Sequence, residues 1–158
     1  MKVIFLDFDG VLNNQAWMDH LKEKWNITPE QLSMFKRDAI ELDPSRVKMM
    51  SDFAKQSNAK IVISSSWRIH HSLDELQEFL RSNGMDEEVL PFDITPITVK
   101  QHRGTEVNFW LGSHPECTHY VIFDDSTDFF PNQPLVLTTW DGGLCEGHID
   151  IARGILNT

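Results

Sequence analysis

The chain opens on an apolar run, Val3 to Leu6, that stops at Asp7, Asp9 and Gly10. A short continuous apolar run with β-branched members reads as a strand buried on both faces, as in a parallel sheet. The signature recurs at Ala59–Ile63, which runs into Ser64, Ser65 and Ser66, and at residues 120–123, which run into Asp124 and Asp125. Residues 135–138 form a further strand candidate. Helical spacing fills the intervals. Asp43 and Pro44 supply a cap and a first-turn proline for a helix that turns Val47, Met50, Phe53 and Ala54 inward and closes at Gln56, Ser57 and Asn58. Ser72 opens a second helix, to about residue 82, with Leu73, Leu76, Phe79 and Leu80 on one face and Asn83-Gly84 at its end. Residues 105–111 read as another helix with Gly104 as its upstream cap, and residues 148–156 as the last. Residues 85–100 are irregular, with Pro91, Pro96 and room for one short strand.

Strands alternating with helices predict right-handed crossovers and a doubly wound α/β fold around a mainly parallel five-stranded sheet. Residues 13–42 do not fit a crossover. They read as a small helical cap or flap inserted after the first strand, rich in Trp17, Met18, Trp25, Met34 and Phe35. Those side chains either stack a base or sugar over a site or form the flap's own core. No repeat or break in composition divides the chain, so residues 1–158 are read as one domain.

Composition narrows the function. The 158 residues are 41% apolar and 24% charged, the balance of an ordinary globular domain. Acidic residues outnumber basic ones 24 to 14, a formal net charge of −10, which argues against an extended nucleic-acid-binding surface. A metal and a few local cations still suffice to hold one phosphate. Cys117 and Cys145 are too few for a disulfide framework and have no zinc-ligand spacing. No apolar run reaches the length of a membrane span or a signal-peptide core. The expectation is a cytoplasmic protein with no membrane partner.

In open α/β sheets, ligands bind beyond the carboxyl ends of the strands. The residues that follow the apolar runs are Asp7 and Asp9, the serines 64–66, and Asp124 with Asp125, joined by Lys100 or Arg103 ahead of a helix. Clustered carboxylates need a counter-charge, and a hard divalent cation such as Mg2+ is the simplest source of one. Ser64, with Ser65 as the alternative, and a cation can hold phosphoryl oxygens. Structural roles are also open to these residues: the serines cap a helix, Trp67 packs under the next helix, and Arg68 pairs with an acid. His70, His71, His102, His114 and His119 lack metal-ligand spacing and read as solvated or packing residues.

Asp7-Phe8-Asp9-Gly10-Val11 after an apolar strand resembles the first motif of the haloacid dehalogenase-like (HAD) phosphohydrolases. Ile63-Ser64-Ser65-Ser66-Trp67-Arg68, the stretch from Arg103-Gly104-Thr105-Glu106-Val107 to Trp110-Leu111, and Tyr120-Val121-Ile122-Phe123-Asp124-Asp125-Ser126 follow in the family's order. Together they resemble a branch of the family found in multidomain RNA-repair proteins, with the similarity running from Lys2 through the turn at residues 141–144. The resemblance implies a phosphomonoester hydrolase in which Asp7 is the nucleophile, forming an aspartyl-phosphate, and Asp9 the general acid and base. It implies Mg2+ held by Asp7, the Asp9 backbone carbonyl and Asp124, with Asp125 bound directly or through water and Asp128 as a further candidate. Ser64 or Ser65, and Arg103 or Lys100, would bind phosphate. The substrate it implies is a phosphorylated small molecule, such as a nucleotide, or a nucleic-acid end. Two other functions use the same residues: a catalytically idle metal- or phosphate-binding regulatory module, and a phosphotransferase.

Overall fold

The computed structural model describes residues 1–35 and 41–157. Five strands form one parallel sheet in the order β3-β2-β1-β4-β5. They are β1 (Lys2–Leu6), β2 (Ala59–Ile63), β3 (Asp93–Ile94), β4 (His119–Asp124) and β5 (Leu135–Leu137). Among the described residues, six α-helices accompany them: α1 (Gln15–Trp25), α2 (Pro29–Ser33), α3 (Pro44–Ser57), α4 (Leu73–Ser82), α5 (Arg103–Gly112) and α6 (Glu146–Leu156).

The apolar run of β1 is buried on both sides because its alternate residues serve two cores. Ile4 and Leu6 join Val47, Met50 and Phe53 of α3, Leu76 and Leu80 of α4, and Ile149 and Ala152 of α6 on one face. Val3 and Phe5 meet Val107 and Trp110 of α5 on the other, where the Trp110 ring stands edge-on to Phe5 at 5.3 Å. Each Val, Leu, Ile, Phe or Met among them, fully buried, contributes on the order of 1.5–3 kcal/mol. The fold is therefore the expected α/β one, with helices on both faces.

Local chemistry sets the helix ends. Asp43 Oδ1 accepts from the Ser45 N–H, and the Ser72 and Glu75 side chains form a reciprocal capping box at α4. At α5 the outcome differs from the expectation of a Gly104 cap. His102 is the cap, its Nδ1 accepting from the Thr105 N–H at 3.0 Å, and the helix already begins at Arg103. Gly104 is needed for close approach instead, since a Cβ there would lie 2.6 Å from Gln133 Oε1 and 3.0 Å from Phe129 Cα. β3 is only two residues long, bracketed by Pro91 and Pro96, which cannot donate to a ladder.

Between β1 and α3 the chain forms α1, capped by Asn14, and α2, capped by Thr28. Residues 36–40 of the expected flap lie outside the described residues. Trp17 Nε1 donates to the Glu41 carbonyl at 2.8 Å and Trp25 packs on Phe35 at 5.5 Å, contacts that these aromatics make within their own segment. Among the described residues, no helix is long and apolar enough to cross a membrane.

Candidate active site

The parallel register builds the site. Leu6 is aligned with Ile63 on one side and Phe123 on the other. The ladder extends one step further: the Asp7 N–H donates to the Phe123 carbonyl and the Ser64 N–H to the Leu6 carbonyl, both at 3.0 Å. Asp7, Ser64 and Asp124 thus stand abreast at the carboxyl edge, and all three are buried.

Arg103 reaches this row from the first turn of α5. Its Nη1 lies 3.0 Å from Asp7 Oδ2 and also contacts Asp124 Oδ2. One guanidinium is shared between two buried carboxylates, and the electrostatics register the shortfall. Burial raises the Asp7 pKa against the attraction of Arg103. Burial, with the neighbouring charge of Asp7 behind it, raises Asp124 to about 7. Burial also raises Asp125. The Arg103 pKa rises as well, the two carboxylates outweighing the cost of burying its charge.

Among the described residues, Asp7, Asp124 and Asp125 form a group able to hold a metal ion, with one carboxylate oxygen from each lying within 4.8 Å of the others. The donors are all hard oxygens, and Asp7 Oδ1 is buried without a hydrogen-bond partner. An oxygen in that state calls for a cation or a ligand, so the residues fit a hard divalent ion. Gly10 lets Asp125 approach: its φ of +75° is left-handed, and a Cβ on it would lie 2.3 Å from Asp125 Oδ2. Thr138 braces the edge, donating from Oγ to the Gly10 carbonyl at 2.7 Å and from its N–H to the Asp124 carbonyl at 2.9 Å.

The adjacent serines have different surroundings. Ser64 Oγ is buried with no partner. Ser65 lies close enough to lower the Asp7 pKa, against the larger effect of burial, and its Oγ accepts from the Trp67 N–H at 3.4 Å. Asp9 stands apart from the three-acid group. Its Oδ1 accepts from Asn13 Nδ2 at 2.8 Å and its Oδ2 from Trp67 Nε1 at 3.0 Å, while Asn13 Oδ1 accepts from the Gly10 N–H at 3.0 Å. Any share of Asp9 in holding a metal is then that of its backbone carbonyl. Asn13 was not anticipated in this role. Trp67 packs as expected, against Phe8 at 5.3 Å and Phe79 at 4.9 Å, and also turns its N–H to Asp9.

The two candidate cations separate. Arg103 lies among the acids, whereas Lys100 is exposed on the loop before α5. Asp128 fastens the start of that helix: Oδ2 accepts from the Arg103 N–H at 3.1 Å, its carbonyl accepts from the Gly104 N–H at 3.0 Å, and Oδ1 lies 3.2 Å from His102 Nε2. With both its oxygens turned to α5, Asp128 serves to aim Arg103.

Arg68 lies beneath the serines and is buried, as is its partner Glu106 on α5. Nη1 donates to the carbonyls of Ser64 and Ser65 at 2.6 and 2.8 Å, Nε donates to the Thr95 carbonyl at 3.0 Å, and Nη2 contacts the Glu106 carboxylate. Glu106 Oε1 in turn accepts from the Thr98 N–H at 2.8 Å. Arg68 therefore pairs with an acid and grips backbone, tying the serine loop to the helix that carries Arg103. Glu106 was not foreseen. The available signal was a carboxylate at an inward position of α5, beside Val107 and one turn from Arg103.

No curated protein and no solved structure matches this chain. A family model does: residues 3–149 match the HAD domain in Swiss Army Knife RNA repair proteins. That span takes in β1 from Val3 on, the other four strands and every residue of the row just described, and the chain belongs to this HAD family.

Proposed function

We propose that the chain is a metal-dependent phosphomonoesterase that works through an aspartyl-phosphate, acting on a nucleotide or a nucleic-acid terminal phosphate. The observation that carries this reading is the pair of buried oxygens without partners, Asp7 Oδ1 and Ser64 Oγ, beside the guanidinium of Arg103. A phosphoryl group seated there accepts from the Ser64 hydroxyl and from the charge-assisted donor Arg103, with its phosphorus turned to the free Asp7 oxygen that would attack it. The family's occurrence in RNA repair supports the substrate class.

In the first step an Asp7 carboxylate oxygen attacks phosphorus as the ester P–O bond breaks, and Asp9 gives its proton to the departing oxygen. In the second, Asp9, now ionised, takes a proton from water. That water attacks the phosphoaspartate, releasing phosphate and regenerating Asp7. Ser64 and Arg103 hold the non-bridging oxygens through both steps. Asp7, Asp124 and Asp125 would hold the ion, expected to be magnesium, which when bound supplies positive charge against the phosphoryl oxygens. The inserted segment, described over residues 13–35 and 41–42, would act as the cap over this edge. The two cysteines are free, in keeping with a reducing, cytoplasmic setting.

The test is phosphate release from an aryl phosphate, 5′- and 3′-nucleotides, and end-phosphorylated oligonucleotides. Turnover is expected with Mg2+, falling to background in EDTA and returning on readdition. Release that is indifferent to chelation, or none from any substrate, sinks the reading. Trp67→Phe keeps the ring but deletes the N–H that Asp9 accepts. A hydrogen bond to a charged group contributes roughly 1.5–3 kcal/mol, so a loss of about tenfold in kcat is expected, together with a lower Tm because a smaller ring replaces a buried indole. Unchanged kcat would remove Trp67 from the positioning of Asp9.

A further inference from the structure

Beside the candidate site, on the solvent side of α5, lies a groove of about 400 Å3 lined by Thr98, Val99, Lys100, His102, Thr105, Phe109 and Phe130. The volume falls in the range of small-ligand pockets, roughly 300–1,000 Å3. Its apolar lining is left to solvent: Val99 is fully exposed, Phe109 59% and Phe130 39%. Phe130 packs in part on His102 at 4.9 Å, but packing of the fold does not account for Val99 and Phe109, because α5 buries Val107 and Trp110 on its opposite side.

Charge singles this groove out. The chain carries a net −10, yet the lining here includes a lysine and no carboxylate. Lys100 makes no ion pair with the described residues. The groove by Trp67 and His71 is rimmed by Glu75 and Glu78, and the one in the flap offers Lys22, which is already paired with Asp19. The Lys100 groove also adjoins the acid row, since its wall residue His102 precedes Arg103 and both are fixed by Asp128. Exposed aromatics next to a free cation form the kind of surface on which single-stranded bases stack.

We infer that this groove is a nucleotide subsite, which binds the residue of a single-stranded nucleic acid next to its terminal phosphate when that phosphate lies at Arg103. A base stacks on Phe109 and against Val99, and Lys100 meets the adjoining phosphodiester. The subsite is local, one or two nucleotides long, which a chain of net −10 can accommodate without an extended basic face. The inference rests on the phosphatase reading and names its substrate as an oligonucleotide end.

The experiment compares wild type, Val99→Ser/Phe109→Ala and Lys100→Glu in three assays: hydrolysis of an aryl phosphate, hydrolysis of end-phosphorylated oligonucleotides of two to six nucleotides, and binding of a fluorescent end-phosphorylated oligonucleotide by anisotropy. Stacking contributes about 1–3 kcal/mol per base, so kcat/KM on oligonucleotides is expected to fall roughly 10- to 100-fold in the double variant. Aryl phosphate turnover is expected to stay unchanged. Lys100→Glu is expected to weaken oligonucleotide binding and flatten its salt dependence by about one phosphate contact. Unchanged oligonucleotide kinetics, an equal loss on the aryl phosphate, or a variant altered only in self-association overturns the subsite. If the wild type hydrolyses nothing, the phosphatase reading fails separately. Binding then decides the groove: loss in the variants keeps it, and no oligonucleotide binding by the wild type removes it.

Discussion

Asp7→Asn is expected to cut phosphate release by about 10^4-fold or more while leaving the protein folded. Removing a covalent nucleophile deletes the pathway itself, and substrate binding or transition-state contacts elsewhere recover little of it. The substitution is close to isosteric and sits at a strand end whose backbone hydrogen bonds do not involve the side chain. The electrostatics also favour folding of the variant. Asp7 and Asp124 share one guanidinium, and each adds to the cost of keeping the other ionised in a buried row. Loss of the Asp7 charge relieves that repulsion, so the metal-free variant is expected to melt no lower than wild type. The metal response should move the other way. Mg2+ stabilises the wild type according to its concentration over Kd, and the variant, with a ligand charge removed, should show a smaller rise in Tm. Thermal melts with and without Mg2+, beside phosphate-release kinetics, give both readings. Near-wild-type turnover in a folded Asp7→Asn protein would dismiss Asp7 as nucleophile.

Much of the geometry around Asp7 was legible in the sequence for a physical reason. A buried parallel strand must be apolar throughout, so the first polar residue after each run marks the carboxyl edge, and strands in register bring those residues into one row. Asp7, Ser64 and Asp124 could be picked out on that ground. The cations could not be separated by spacing, because Lys100 and Arg103 lie a single turn apart. What distinguishes them is the helix start set by His102 and Asp128, a contact with a loop 25 residues further on. Gly104 was misread because a glycine near a helix start looks like punctuation. Its reason is the approach of Gln133 and Phe129, which only the folded chain contains. Trp67 drew attention as a packing residue, and it is one. The direction of its indole N–H toward Asp9 is a tertiary fact with no trace in the pattern of apolar positions.

The buried Arg68–Glu106 pair is expected to give the largest stability effect and a distinctive non-additivity. Arg68→Met alone leaves Glu106 charged inside the protein, and Glu106→Leu alone leaves the guanidinium there. Breaking a buried pair from one side costs about 3–5 kcal/mol, most of it from the charge left behind. Arg68→Met/Glu106→Leu removes both charges, and its loss should fall short of the sum of the single losses by about 1–3 kcal/mol. Recovery will be incomplete. The carbonyls of Ser64, Ser65 and Thr95 lose a donor in the double variant, as does the Thr98 N–H an acceptor, and each unsatisfied buried group costs about 1–3 kcal/mol. Activity should not follow stability. With no guanidinium bridging the serine loop to α5, Ser64 and Arg103 no longer hold a fixed relation across the phosphate position. The double variant is therefore expected to refold cooperatively yet keep a raised KM and lowered kcat, since a displacement of about 1 Å in such a site can cost 100-fold. Urea unfolding of all four proteins at constant m-value measures the coupling, and kinetics on the folded double variant measure the positioning. Strictly additive losses would mean that the two residues act independently. Wild-type kinetics in the double variant would confine the pair to a structural role.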